Sequence, residues 1–196
     1  MPSVNWSKIA LEKGVSKLSE VPKRPLPHIA IAGKSNVGKS SLINHITSRK
    51  QLAKISKNAG KTKRLDFYSI PNQFYLVDLP GYGFARVAHS LKVKWSELLE
   101  GYMQSPALSG VVFLVDARHD PSHEDLQFWE WIRSKDLPAI VVLTKCDKVK
   151  KGEQKSRFEK TAQMLGISAD ELVAYTVQSN SGREQLSHRI GEILWG

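Results

Sequence analysis

Eight residues, Gly33-Lys34-Ser35-Asn36-Val37-Gly38-Lys39-Ser40, leave this chain little freedom in what it can fold into. They satisfy G-x-x-x-x-G-K-[ST], in which the backbone curls into a concave row of N–H groups that can cradle phosphates. Such a row needs a strand to deliver it and a helix to close it, because the helix N-terminus adds positive potential. The flanks supply both: apolar Ile29, Ala30, Ile31 and Ala32 precede the motif, and Ser41, Leu42, Ile43 and Ile46 follow at helical spacing. Gly33 and Gly38 give the backbone freedom and close approach that a Cβ forbids. Lys39 is expected to reach the β- and γ-phosphates of a nucleotide, and the Ser40 hydroxyl to ligate Mg²⁺. Lys34, Ser35, Asn36, Val37 and Ser41 complete the expected cradle.

The chain has 196 residues, room for one domain with a short extension. Its longest apolar runs, such as Val111 to Val115 and Ala139 to Leu143, are far short of the roughly 20 residues that span a bilayer. No integral membrane contact is expected. The start, Met1-Pro2-Ser3-Val4-Asn5-Trp6, lacks a basic-then-apolar signal peptide. The single cysteine, Cys146, excludes an internal disulfide and a cysteine-cluster metal site. A cytoplasmic protein fits best. The six histidines show no metal-ligand spacing; His119 and His123 are four apart, but Pro121 lies between them. The net charge of +10 favours a polyanionic partner, nucleic acid or an anionic membrane, between which charge alone does not choose; RNA or ribosome contact is the expectation.

Residues 1–27 read as an N-terminal extension, with a short helix around Ile9 to Lys17 and then Pro22, Pro25 and Pro27, which favour extended chain. Residues 28–196 read as a single nucleotide-binding domain. After the phosphate loop, a helix is expected to about Ser48, then a polar, basic, mobile loop over 49–64. Leu65 to Ile70 and Phe74 to Asp78, joined by Pro71-Asn72, read as an antiparallel hairpin. Leu91, Trp95, Leu98, Leu99 and Tyr102 predict a helix from about Ser90 to Gln104. Strands follow at Val111 to Asp116, Ala139 to Thr144 and Leu172 to Val177. Between them, Ser122 and Asp125 form a capping box for one helix, and another runs from Lys148 to Gln163. Leu186, Ile190, Ile193 and Leu194 give a last helix its apolar face. This alternation implies a mostly parallel sheet with helices on both faces, and ligands at the carboxyl ends of its strands.

Further motifs fall at such ends. In Asp78-Leu79-Pro80-Gly81 the carboxylate can hold a Mg²⁺ shell through water, and the Gly81 N–H can meet the γ-phosphate. In Thr144-Lys145-Cys146-Asp147 the carboxylate can accept from the N1–H and exocyclic amine of guanine, a pair adenine lacks. The stem of Lys145 would lie along the base, and Cys146 is a small spacer. The competing reading makes Asp147 a helix N-cap. Gly60-Lys61-Thr62, with Lys63 and Arg64 beyond, lies in the basic loop; the Thr62 hydroxyl is a candidate second Mg²⁺ ligand. Tyr175, Thr176 and Val177 end the last strand, where backbone N–H groups would meet the guanine O6; Ser179-Asn180-Ser181 offers a competing register. Lys39, Thr62 and Gly81 are the candidate catalytic residues.

These residues, with Ser41-Leu42-Ile43-Asn44, Tyr82-Gly83-Phe84-Ala85 and Asp116-Ala117-Arg118-His119-Asp120-Pro121, resemble the EngB (YihA/YsxC) family of translation-factor-related GTPases. The resemblance implies an α/β fold of the Ras-like P-loop class: three layers around a mixed, mostly parallel six-stranded sheet with one antiparallel edge strand. It implies GTP and GDP as ligands, Mg²⁺ held by Ser40 and Thr62, and a monomer that switches on the large ribosomal subunit or its precursors, not on DNA. The family is also tied to cell division, so a septation scaffold with a mainly structural GTP site is the alternative. Asn36 resembles the asparagine that ligates K⁺ in potassium-stimulated relatives. Two departures stand out: Ala59 where such families carry proline, and Thr176-Val177 where they carry Ser-Ser or Ser-Ala. Tyr82 stands where Ras-like enzymes place a water-orienting glutamine, so unassisted hydrolysis is expected at or below roughly 10⁻⁴ s⁻¹. Lys54, Lys57, Lys61, Lys63, Arg64 and Arg86, with Lys92 and Lys94 beyond, would grip RNA when the γ-phosphate orders their segments.

Overall fold

The computed structural model describes residues 4–54, 64–82 and 89–196, with the backbone alone for 89–95 and Ser181. Twelve regular elements follow in order: β1 (Ala10–Val15), β2 (His28–Gly33), α1 (Lys39–Ile46), β3 (Leu65–Ile70), β4 (Phe74–Asp78), α2 (His89–Met103), β5 (Leu108–Asp116), α3 (His123–Arg133), β6 (Ala139–Thr144), α4 (Lys151–Leu165), β7 (Val173–Ala174) and α5 (Ser181–Trp195). The strands form one sheet in the order β1-β3-β4-β2-β5-β6-β7. From β4 onward every pairing is parallel, while β3 runs antiparallel to both β4 and β1.

The central strands bury both faces, which is why they read as continuous apolar runs. Along β5, Val111, Phe113 and Val115 point to one core, with Leu98, Tyr102, Trp129, Ile132 and Leu165. Val112 and Leu114 point to the other, with Leu42, Ile43, Leu186, Ile190 and Trp6. Helices α2, α3 and α4 thus cover one face and α1 and α5 the other, in the three layers expected. The parallel strands end together, so the loops after β2, β4, β5 and β6 lie side by side.

The hairpin forms at the expected residues, with Ile70 opposite Phe74 and Asp66 opposite Asp78. Three expectations need correcting. The stretch expected as a helix near Ile9 to Lys17 is the edge strand β1, in register from Ala10↔Ser69 to Val15↔Leu65. Among the described residues the sheet therefore has seven strands, with two antiparallel pairings where one was expected. Strand β7 holds only Val173 and Ala174, shorter than the expected Leu172 to Val177. Helix α4 starts at Lys151, not Lys148, because Cys146–Lys148 forms a separate 3₁₀ turn. Lys150, not Asp147, is the N-cap of α4.

Candidate functional site

The phosphate loop runs from the end of β2 into α1. Gly38 has φ +117, a left-handed value that suits glycine, and its carbonyl accepts the first helical hydrogen bond from Leu42 N–H at 2.8 Å. The Lys39 ammonium donates to the Gly33 carbonyl at 3.1 Å, lying back along the loop. Burial lowers its pKa, and the Asp78 carboxylate pulls it back up. Asp78 ends β4 opposite this lysine. Burial pushes its carboxyl up to about 7, against the attraction of Lys39 and with a push from Asp66.

Gly81 is pressed onto the loop. A Cβ there would fall 2.7 Å from Ser35 Oγ, 2.8 Å from Lys39 Nζ and 2.9 Å from Ser35 Cα, a backbone atom that cannot give way cheaply. Lys34 and Tyr82 form an isolated parallel bridge, in which Ser35 N–H donates to the Tyr82 carbonyl at 3.1 Å. The four named residues Ser35, Lys39, Asp78 and Gly81 thus converge. Ser35 Oγ and Asp78 Oδ1 are buried without a hydrogen-bond partner among the described residues. Buried polar atoms are seldom left idle, so the spot fits a polar ligand with its attendant cation.

Tyr82 turns away from this point. Its hydroxyl donates to Asp125 Oδ1 at 2.6 Å, and its ring stacks on Phe128 with centroids 4.6 Å apart. Asp125 Oδ2 in turn accepts from Ser122 N–H (2.9 Å) and Ser122 Oγ–H (2.7 Å), so the expected capping box of α3 is formed. Lys34 Nζ reaches Ser122 Oγ (3.1 Å) and Glu124 (3.3 Å), tying the loop to the same helix start.

At the base end, β6 delivers Thr144, whose buried hydroxyl donates to the Val37 carbonyl at 2.7 Å and shares its proton with Val115 O at 3.2 Å. Lys145 has φ +60 and sends its ammonium to the Asn36 carbonyl (2.7 Å) and Asp116 Oδ2 (2.8 Å). Asp147 accepts from the Thr176 hydroxyl (2.8 Å) and the Gln178 side-chain amide (3.3 Å), and pairs with Lys148 at 3.3 Å. Burial pushes its carboxyl up, but the Thr176 and Lys148 contacts outweigh that and hold it below the usual range. Cys146 is buried; desolvation raises its thiol to about 11, so it stays protonated and inert.

Other candidates are placed differently. Tyr175 is buried against α1, its hydroxyl 2.7 Å from His45 Nδ1, and only its backbone faces the site, accepting from Cys146 N–H at 3.3 Å. Val177 is exposed. Gly60, Lys61, Thr62 and Lys63 lie outside the described residues, as do Gly83 to Arg86, and the side chains of Lys92 and Lys94. Arg64 lies at the start of β3, paired with Asp66 at 2.7 Å. Among the described residues no cluster of three or more His, Cys, Asp or Glu could hold a metal. The sequence reading names Asp125 as a cap and Asp116 within a motif, but not Asp125 as the acceptor from Tyr82, Asp116 as the partner of Lys145 or Gln178 as a partner of Asp147, because each of these contacts spans the fold.

This strand order with its phosphate loop defines a Ras-like P-loop GTPase. Residues 28–145 match the family model described as "50S ribosome-binding GTPase". The chain is 47% identical over 177 residues to the probable GTP-binding protein EngB of Alkaliphilus metalliredigens, covering 89% of this chain and 85% of that one. It is 41% identical over 174 residues to the probable EngB of Gemmatimonas aurantiaca, covering 88% and 85%. The chain belongs to the EngB family of GTP-binding proteins. A crystal structure of a probable EngB superposes with a TM-score of 0.68 at 22% identity, over 85% of this chain and 98% of that one. Era in complex with MgGDPNP and a fragment of 16S ribosomal RNA superposes with a TM-score of 0.62 at 26% identity, over 87% and 57%.

Proposed function

We propose that this GTPase is a slow, Mg²⁺-dependent switch that acts in the cytoplasm, as a monomer, on the large ribosomal subunit or its precursors, and that normal cell division depends on that role. The observation that carries the reading is the hydrogen bond from Tyr82 to Asp125. The residue after Gly81 is locked into the α2–α3 side of the core by a buried carboxylate and a stacked ring. It has no reach toward an attacking water, so hydrolysis depends on positioned charge that a partner brings. A GTPase that waits for its partner is suited to reporting a bound state rather than to turning over nucleotide.

The chain's own residues divide the work. Backbone N–H groups of 36–41 would hold the phosphates, and Lys39 would leave the Gly33 carbonyl to neutralise the β- and γ-oxygens. Ser40 and Thr62 would hold the Mg²⁺, which screens phosphate charge, with Asp78 facing its water shell. The Gly81 N–H would meet the γ-phosphate, and Asp147 would accept from the guanine edge. Asn36, exposed at the crest of the loop with φ +63, would offer its side chain to K⁺. Turnover in KCl above that in NaCl supports this K⁺ site, and equal rates refute it.

The ribosomal part rests on the net charge of +10 and on the matched family model, described as ribosome-binding. The similar Era, of which this chain covers 57%, has been solved in complex with a fragment of 16S ribosomal RNA, a precedent for a ribosomal RNA target. Co-sedimentation with purified large subunits tests it. Binding is expected with a non-hydrolysable GTP analogue, is expected to be lost with GDP, and should weaken steeply with salt if phosphates are contacted. Equal binding in both nucleotide states removes the switch, and no binding in either removes the ribosome.

A further inference from the structure

Asp116 ends β5 directly opposite Thr144 in the parallel register with β6. Its carboxylate is fully engaged. Oδ1 accepts from Arg118 N–H (3.1 Å) and Arg118 Nε (2.9 Å), and Oδ2 accepts from Arg118 Nη2 (2.8 Å) and Lys145 Nζ (2.8 Å). Burial pushes this carboxyl up, yet the bonds from Arg118 and Lys145 overcome it and hold it down at about 2. It is therefore an anion throughout the working range of pH. The same Lys145 ammonium donates to the Asn36 carbonyl at 2.7 Å. One amine thus pins the crest of the phosphate loop to the end of β5, through a residue whose backbone sits at a left-handed φ of +60.

We infer that Asp116 is the positioning residue of the guanine site: it anchors the Lys145 ammonium so that the lysine stem forms a fixed platform for the base and the Asn36 turn of the phosphate loop stays in place. The inference rests on the guanine reading of Asp147 and adds the group that sets the opposite wall. Without the carboxylate, the lysine keeps its charge but loses its tether, and its four methylenes regain rotamer freedom that the base must then remove. Arg118 has the complementary part. Its fork clamps Asp116 from the solvent side, and at 42% side-chain exposure it is the less critical of the two cations.

The test is a double-mutant cycle read by the dissociation rate of a fluorescent GDP analogue from the full-length protein. Asp116→Asn is expected to speed release about tenfold, the order for one lost hydrogen bond between charged groups. Lys145→Met, which keeps the stem and loses the amine with both its bonds, should speed release at least as much. The double variant should release the nucleotide no faster than Lys145→Met alone, because Asp116 acts through that amine. A merely structural role for Asp116 gives additive effects and a lower melting temperature without nucleotide, either of which overturns the inference. So does Asp116→Asn within twofold of the parent. Should Asp116→Asn fold poorly, Arg118→Ala replaces it. It loosens the carboxylate from outside and should speed release about threefold in the parent and not at all in Lys145→Met, a weaker form of the same coupling. Equal speeding in both backgrounds overturns the inference. A parent protein that releases the ADP analogue as slowly as the GDP analogue ends the guanine reading, and the inference with it.

Discussion

The two ends of the site are built by opposite means. The phosphate end is made mostly of backbone, pressed so close that Gly81 has no room for a Cβ, and it leaves Ser35 Oγ and Asp78 Oδ1 buried with no partner among the described residues. The base end is made of side chains that already satisfy one another: Asp147 holds Thr176 and Gln178, and Lys145 holds Asp116 and Asn36 O. The first end is incomplete without a ligand. The second is complete and must exchange hydrogen bonds to admit one. Affinity should therefore come chiefly from the phosphates and selectivity chiefly from the base. An end that trades bonds gains little from a correct ligand but loses much with a wrong one, which leaves buried polar groups unpaired.

The contrast can be broken most forcefully at the phosphate end. Lys39→Ala removes the buried cation there and should weaken GDP and ADP alike by at least about 100-fold, by the scale for a buried charged contact; titration calorimetry reads it. If one nucleotide suffered and the other did not, the division of labour would be wrong. Gly81→Ala comes next. Its methyl would collide with Ser35 Cα, so both nucleotides should weaken, the GTP analogue by more than about tenfold and GDP by less, because only the analogue needs the Gly81 N–H. Equal losses would show that Gly81 supports the loop rather than the γ-phosphate.

At the base end smaller effects sharpen the picture. Thr176→Val removes the hydroxyl that holds Asp147 and should cost GDP affinity about threefold to tenfold, the net value of one ordinary hydrogen bond. The same change should leave inorganic pyrophosphate binding untouched. Least of all should either end feel His28. This histidine is buried among Phe67, Tyr75 and Tyr102, and desolvation lowers its pKa from 6.5 to about 4. The unfolded chain takes up a proton near pH 6.5 and the folded chain only near 4. Stability should therefore fall as pH drops through that window, by at most about 3 kcal/mol at 1.36 kcal/mol per unit. His28→Phe should flatten the dependence of melting temperature on pH without altering nucleotide affinity. An unchanged slope would place the acid sensitivity elsewhere.

What could be read before the fold was known follows from where each signal lies. The phosphate loop, the hairpin and the Ser122–Asp125 box are local, set by residues a few positions apart, and they formed as expected. Strand β1 was misread because Ala10-Leu11-Glu12-Lys13 is made of good helix formers. Its pairing with β3, fifty or more residues away, overrides that propensity, and as an edge strand it buries little beyond Val15. The short β7 has a similar cause. After Tyr175, the chain leaves the ladder to bring Thr176 to Asp147, a contact no window of sequence contains. Asp116 with Lys145, and Thr144 with the Val37 carbonyl, are likewise pairings of distant strand ends. Motifs name the candidate ligand contacts; the residues that hold those in place are found only when the strands are side by side.

The division of labour is tested most directly by calorimetric titration of GDP and ADP into the parent protein and into Asp147→Asn. GDP should bind the parent at least about 10⁴-fold more tightly than ADP, the scale for a site that leaves its polar groups unpaired by the wrong base. The variant should lose most of that margin through weaker GDP binding while ADP stays where it was. A parent that binds ADP and GDP equally well would contradict the guanine site at its root.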